Sequence, residues 1–177
     1  MAAYAGLAGA LDRLYRACGL IAALLLIALT GLVLLSILSR LVDTFIAGVT
    51  EYAGYTMAAS AFFAMSYTYR SGGHIRVSLV ISRFAGHSRE GIEIWCRGAM
   101  AVITGYLAFY LARLTYFSWI FEEISEGGDA IAMWIPQLPT AVGAAIFALC
   151  ALDMFVRALL DPAGELTSEV AGGGGEP

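Results

Sequence analysis

One uninterrupted apolar run constrains this chain more than any other feature. Residues 17–38, ACGLIAALLLIALTGLVLLSIL, contain no charged side chain. As a helix, these 22 residues extend about 33 Å, enough to cross a hydrocarbon core about 30 Å thick. Arg13 and Arg16 precede the run, as basic residues precede a signal peptide, but its apolar part exceeds the about 7–15 residues of a signal sequence. We therefore predict an uncleaved membrane anchor at about 17–39.

Three further apolar runs predict spans at about 51–70, 95–120 and 138–160. Hydrophobic residues make up 60% of the 177 positions and charged residues only 14%, whereas roughly a quarter of the residues of a soluble domain are charged. The predicted fold class is therefore all-α: residues 1–160 form an integral membrane domain of four transmembrane helices. Pro136 and Pro139 fall at the start of the last span, where a first helical turn tolerates proline.

The predicted spans differ in their surroundings. The second span is rich in alanine and glycine, and small residues in a membrane helix favour close packing against other helices. Between spans two and three, residues 71–95 place apolar residues at near-helical spacing beside arginines, which predicts an amphipathic helix in the interface plane; a plain solvated loop is the alternative. Residues 161–177, with four consecutive glycines and several acids, predict a disordered tail.

The distribution of arginine predicts the orientation. All ten basic residues are arginines, and eight of them fall in the N-terminal segment, residues 70–97 and the C-terminal end. The first loop contains only Arg40, and the third loop is acidic. Because basic loops stay in the cytoplasm, we predict a bacterial inner-membrane protein with both termini cytoplasmic. Three residues then lie near cytoplasmic helix ends as free thiols: Cys18, Cys96 and Cys150.

Two polar positions inside or beside the spans need an explanation. Arg113 follows Trp95 by eighteen residues, or about 27 Å of helix, which places its guanidinium near the outer interface, where it can snorkel to water. Glu51 opens the second span at the same level, so the two side chains could form an ion pair, although the sequence leaves open whether they do. We expect structural anchoring at this level rather than a role in transport. Asp153 and Arg157 are spaced for a local ion pair on the last helix.

Several kinds of chemistry find no support in the residues. The two histidines, His74 and His87, lie in the second loop, so no span offers an axial haem ligand, and they have no cysteines nearby to complete a zinc site. The cysteines have no CxxC spacing, and no Walker A, GxSxG or HExxH motif occurs. A net charge of −4 argues against a nucleic-acid partner. We expect no enzymatic site, no metal and no cofactor in this chain.

The end of the second span and the loop after it resemble a known family. The segment from Glu51 to Leu79, EYAGYTMAASAFFAMSYTYRSGGHIRVSL, is similar to the small membrane subunit (the Q, or DctQ-like, small permease) of tripartite ATP-independent periplasmic (TRAP) transporters. The resemblance covers roughly residues 10–160, including Leu138-Pro139 and Gly143. The GGHIRV stretch is its most specific part. Ser78 stands where such subunits often carry an acid, which puts any contact of that acid in doubt.

The resemblance implies a place in a secondary-transport complex. A periplasmic binding protein delivers an organic anion, often a carboxylate, and a large multi-span subunit imports it, typically with sodium bound in that subunit. This chain is then a non-catalytic scaffold for the large subunit. Its expected contacts with partner or lipid are Glu51, Arg70, His74, Arg76 and Arg113. A self-contained homo-oligomeric channel or small exporter is the alternative, and a membrane enzyme is a second one.

Overall fold

The computed structural model describes residues 2–44, 46–71, 87–125 and 130–160. Within these ranges the chain forms four helices, α1 (Ala2–Leu41), α2 (Val49–Arg70), α3 (His87–Ile120) and α4 (Trp134–Leu160). Between α3 and α4, Ile124 and Ala132 form an isolated antiparallel bridge. The all-helical fold expected from the apolar runs is confirmed for the described part of the chain.

Three helices of the described chain are long and apolar enough to cross a bilayer: Gly9–Leu41, Ile94–Ile120 and Trp134–Leu160. Helix α2 is not among them, although its 22 residues would extend about 33 Å. Its tyrosines, serines and threonines make it less apolar than the others. The structure therefore agrees with an all-α membrane protein, and the crossing by α2 stays a prediction.

The packing order of the helices explains how α2 tolerates that composition. Helix α1 packs against α2, α2 against α4, and α4 against α3, so α2 and α4 are the inner helices of a row. In the most apolar stretch of α1 only 6% of residues are buried, against 39% in α4. The hydroxyl groups of Ser60 and Ser66, both buried on α2, donate to backbone carbonyls of their own helix and so meet no lipid.

Close contact between α2 and α4 depends on one glycine. A Cβ atom at Gly143 would lie 3.0 Å from the Cβ of Phe62 and 3.4 Å from the backbone nitrogen of Phe63. The small residues of α2 are divided between two faces, since Ala59 is buried whereas no atom lies within 4 Å of a Cβ built at Gly54. The small-residue run thus serves internal packing on one side and leaves an open face on the other.

The fourth helix begins earlier than expected. Helix α4 starts at Trp134, so Pro136 lies in its first turn but Pro139 lies inside the helix. The expectation that both prolines fall at the start was therefore wrong for Pro139. Proline has no N–H to donate to the carbonyl one turn earlier. That carbonyl belongs to Ile135 in the first turn, and it lacks its usual donor four residues on, since at this end of a helix only N–H groups are ordinarily without intrahelical partners.

Two predicted segments cannot be compared with the structure. Most of the predicted interfacial helix lies outside the described residues, and the part from His87 onward forms the start of α3. The predicted disordered tail, residues 161–177, also lies outside them.

Candidate functional site

A polar contact joins three helices at the end of the bundle that holds the C-terminus of α2. The Nε atom of Arg70 donates to Oδ1 of Asp12 at 2.8 Å, and its Nη2 lies 2.8 Å from the same oxygen. Its Nη1 lies 3.4 Å from the sulfur of Met154 on α4. The side chains of Arg70 and Asp12 are 25% and 36% exposed, so this ion pair is partly screened by solvent.

An aromatic and sulfur-rich core lies directly beneath that contact. The rings of Tyr69 and Phe147 meet edge to face with centroids 6.0 Å apart, and Tyr15 of α1 is fully buried beside them. The Cys150 thiol donates to the carbonyl of Ser66 at 3.5 Å. The Arg70–Asp12 pair therefore closes the solvent-facing end of a well-packed core that α1, α2 and α4 share.

The same end of the bundle fixes α3 against α4. Arg97 is 5% exposed, and its Nη1 donates to the carbonyl of Met154 at 3.3 Å. The ring of Phe155 fills the space beside Gly98, where a Cβ would lie 3.0 Å from it. The predicted pair on α4 is confirmed, since Nε of Arg157 donates to Oδ2 of Asp153 at 3.1 Å. All four helices thus have polar anchors at this end.

Glu51 lies at the opposite end. Its Oε2 accepts a hydrogen bond from the Ser125 hydroxyl at 3.3 Å, which ties the first turn of α2 to the connection after α3. A carboxylate in a first helical turn also interacts favourably with the helix dipole. The hydroxyl of Tyr55, one turn further along α2, lies 3.4 Å from the sulfur of Met133.

Arg113 and Glu51, whose pairing the sequence left open, do not pair in the structure. Its guanidinium carbon lies 5.3 Å from the centroid of the Phe117 ring, one turn along the same helix, in the geometry of a cation–π contact. The side chain is exposed. The two residues sit on α2 and α3, which are not neighbours in the row, and each takes a partner from its own surroundings.

His74 and Arg76 lie outside the described residues. Of the five residues expected to contact partner or lipid, the structure therefore describes Glu51, Arg70 and Arg113, and it brings no two of them together. The sequence did not identify Asp12 as the partner of Arg70, or Ser125 as the partner of Glu51. One feature of the sequence could have indicated a role for Asp12: it is an acid close to the basic end of the first span. In the described ranges, no cluster of three or more histidine, cysteine or acidic side chains could hold a metal ion.

Large apolar surfaces remain uncovered on the outer helices. Leu20 and Ile27 of α1 are 70% and 69% exposed, and Val102 and Tyr106 of α3 are 72% and 65% exposed. Between α3 and α4 an apolar groove of about 440 Å³ is lined at one end by Trp119 and Trp134. Such surfaces are stable only against lipid or another protein.

Comparison with known families gives a match over most of the chain. The model of the family described as tripartite ATP-independent periplasmic transporters, DctQ component, matches residues 29–161, well over half of the chain. A comparison with curated proteins gives no match.

Proposed function

This chain belongs to the DctQ family of TRAP transporters, and from that premise we propose that it is the non-catalytic small permease subunit that scaffolds a large membrane subunit. The family match over residues 29–161 carries this proposal. It makes the chain a membrane component of a transporter. The scaffolding role is our interpretation of its architecture.

The architecture supports a scaffold in two ways. The polar contacts described at both ends of the bundle, such as Arg70–Asp12 and Ser125–Glu51, connect helices of this chain to one another and hold it as one unit. The outward face of α2 offers a surface for a partner: Gly54, Met57, Ala61 and Met65 recur at helical spacing and are exposed. Small residues let a second helix approach closely, and methionines adapt to its shape.

We further propose the arrangement in the membrane and the transported class. Helix α2 also crosses the bilayer, which brings the number of spans to four, and α1 and α4 shield it from lipid. Both termini lie in the cytoplasm of a bacterial cell. Arg70 and its neighbours then face the inner leaflet, where basic side chains attract anionic headgroups. The complex imports an organic anion, of which carboxylates are the expected class, with sodium coupling in the large subunit and delivery by a periplasmic binding protein.

Co-expression tests the scaffold proposal. The chain, tagged at its own terminus, is expressed with a candidate large subunit and purified through that tag alone. Recovery of a stable complex containing the large subunit is the expected result, and the amount of large subunit in the membrane should fall when this chain is not co-expressed. A solitary homo-oligomer that carries solute by itself in proteoliposomes would overturn the proposal in favour of a channel or exporter.

A further inference from the structure

A polar cleft lies between the end of α1 and the start of α2, at the opposite end of α1 from Asp12. Its volume is about 370 Å³. Polar and apolar atoms contribute almost equally to its lining, which consists of Ser36, Ser39, Arg40, Asp43, Thr44, Ile46 and Thr50. No contact described for the helix bundle uses this cleft.

The two charges in the cleft face outward without neutralising each other. Arg40 and Asp43 are both exposed, and in the described part of the chain they form no ion pair with each other or with another residue. The backbone explains why both line one cleft. After α1 ends, Asp43 takes a left-handed conformation with φ of 50°, and its N–H donates to the carbonyl of Arg40 at 3.3 Å. The chain therefore folds back beside the last turn of the helix.

Hydroxyl groups add hydrogen-bond donors to the cleft. The Ser39 hydroxyl is used internally, donating to the carbonyl of Ser36 at 2.9 Å. The side-chain hydroxyls of Ser36 and Thr50 make no hydrogen bond within the residues described here, and Ser36 is half-buried. The oxygen of Ser36 is not sealed off by the protein and Thr50 is exposed, so both hydroxyls are accessible as donors to a ligand in the cleft.

The position along α1 sets the depth of the cleft. Arg40 lies 23 positions after Ala17, which is about 34 Å of helix and slightly more than a hydrocarbon core of about 30 Å. Arg40 thus lies at headgroup level when α1 spans. Val33, Ile37 and Arg40 follow one another at helical spacing, and the first two are 44% and 52% exposed. An apolar stripe therefore leads from the cleft into the membrane.

We propose that this cleft binds the headgroup of a zwitterionic phospholipid that carries a phosphate and a primary ammonium, the phosphoethanolamine class. The guanidinium of Arg40 binds the phosphate with the Ser36 and Thr50 hydroxyls as further donors, the carboxylate of Asp43 accepts from the ammonium, and an acyl chain follows Val33 and Ile37. An anionic phosphoglycerol headgroup can also bind Arg40 through its phosphate, but it carries no ammonium to neutralise the carboxylate of Asp43. A choline headgroup has no N–H to donate to that carboxylate.

The site does not depend on the proposed scaffold role, because all its residues belong to this chain. The purified full chain in detergent is titrated with phosphatidylethanolamine, phosphatidylglycerol and phosphatidylcholine of identical acyl chains, and bound lipid is counted by native mass spectrometry. Phosphatidylethanolamine is expected to bind about fivefold more tightly than the other two, the scale of one exposed ion pair. Arg40→Gln lowers the affinity for both phosphatidylethanolamine and phosphatidylglycerol, whereas Asp43→Asn lowers only the former and narrows the gap between them.

Arg13→Gln is the matched control, since it removes an exposed arginine from the other end of α1 and is expected to leave the ranking of the three lipids unchanged. A preference for phosphatidylglycerol in the parent chain, or equal affinities for the three lipids, overturns the proposal. So does a preference that survives both Arg40→Gln and Asp43→Asn. If a charge variant loses helicity by circular dichroism, the double variant Ser36→Ala, Thr50→Val tests the proposal in its place, because it keeps both charges. It is expected to weaken phosphatidylethanolamine binding, and unchanged binding would overturn the proposal.

Discussion

Arg70 at the C-terminus of α2 places both Nε and Nη2 at 2.8 Å from the same carboxylate oxygen of Asp12 on α1. This contact closes one end of the interface between the first two helices. It joins residues 58 positions apart, so it forms only when α1 and α2 lie side by side.

Removing this pair should weaken the bundle slightly. Asp12→Asn and Arg70→Gln are each expected to lower the free energy of unfolding, and the double-mutant cycle should give a coupling of about 0.5–1 kcal/mol, because both groups are partly exposed and solvent screens them. Unfolding of the purified chain in mixed detergent micelles measures this. Arg13→Gln is the control, because it removes an exposed arginine from α1, the helix that carries Asp12. A coupling near zero would show that the pair does not stabilise the helix interface.

Gly143 should tolerate no side chain. Gly143→Ala places a Cβ 3.0 Å from the Cβ of Phe62 and 3.4 Å from the backbone nitrogen of Phe63, so α2 and α4 must move apart, at a cost of about 1–3 kcal/mol. Thermal unfolding in detergent measures the loss. Gly54→Ala is the matched control, because its Cβ meets no atom within 4 Å. Equal melting temperatures for Gly143→Ala and the parent would contradict the close approach.

The open face of α2 should contact the large subunit. Gly54→Leu adds a side chain where this chain has no neighbour, so the isolated subunit should stay stable while recovery of the large subunit falls several-fold. Gly31→Leu on α1 and Gly105→Leu on α3 also point into open space and serve as controls for the other faces. Loss of the complex in Gly31→Leu or Gly105→Leu alone would move the interface to α1 or α3.

The crossing by α2 can be tested by labelling. Val42→Cys and Ser71→Cys bracket the helix, and both positions are exposed. In a chain in which the exposed Cys96 is replaced by serine, a membrane-impermeant maleimide should modify Val42→Cys from the periplasmic side and Ser71→Cys from the cytoplasmic side. Modification of both from one side would mean that α2 does not cross. Opposite labelling with the sides exchanged would reverse the proposed orientation.

Glu51 and Arg113 should behave as independent residues. Glu51 is bonded to Ser125 and Arg113 lies over Phe117, so the effects of Glu51→Gln and Arg113→Gln on the free energy of unfolding should add within about 0.5 kcal/mol. The same unfolding assay in detergent applies. A coupling well above that value would restore the direct ion pair that the sequence suggested.

The residues themselves predicted the parts of the fold that depend on local pattern. The charge-free run at 17–38 predicted the membrane helix that the structure contains in α1, and Asp153 and Arg157 predicted their own contact, because a helix brings residues four apart together. The structure does not contain the Glu51–Arg113 pair that the sequence left open, because such a pair depends on which helices are neighbours and not on local spacing. A predicted shared depth in the membrane suggested the pair, but depth does not specify which helices pack against each other.

The amino-acid sequence alone thus determined that this chain is an all-helical membrane protein of the TRAP small-subunit type. Both features that indicate this, the length of the apolar runs and the residues around GGHIRV, are properties of consecutive residues and do not depend on tertiary contacts. Tertiary structure decided the order α1–α2–α4–α3, and with it the pairing of Arg70 with Asp12, the shielding of the hydroxyl-rich α2 and the opening of a charged cleft at Arg40. Lipid exerts no hydrophobic force that chooses one apolar helix over another. Neighbours in the row are therefore selected by close fits, such as Gly143 against Phe62, that emerge only once helices distant in sequence meet.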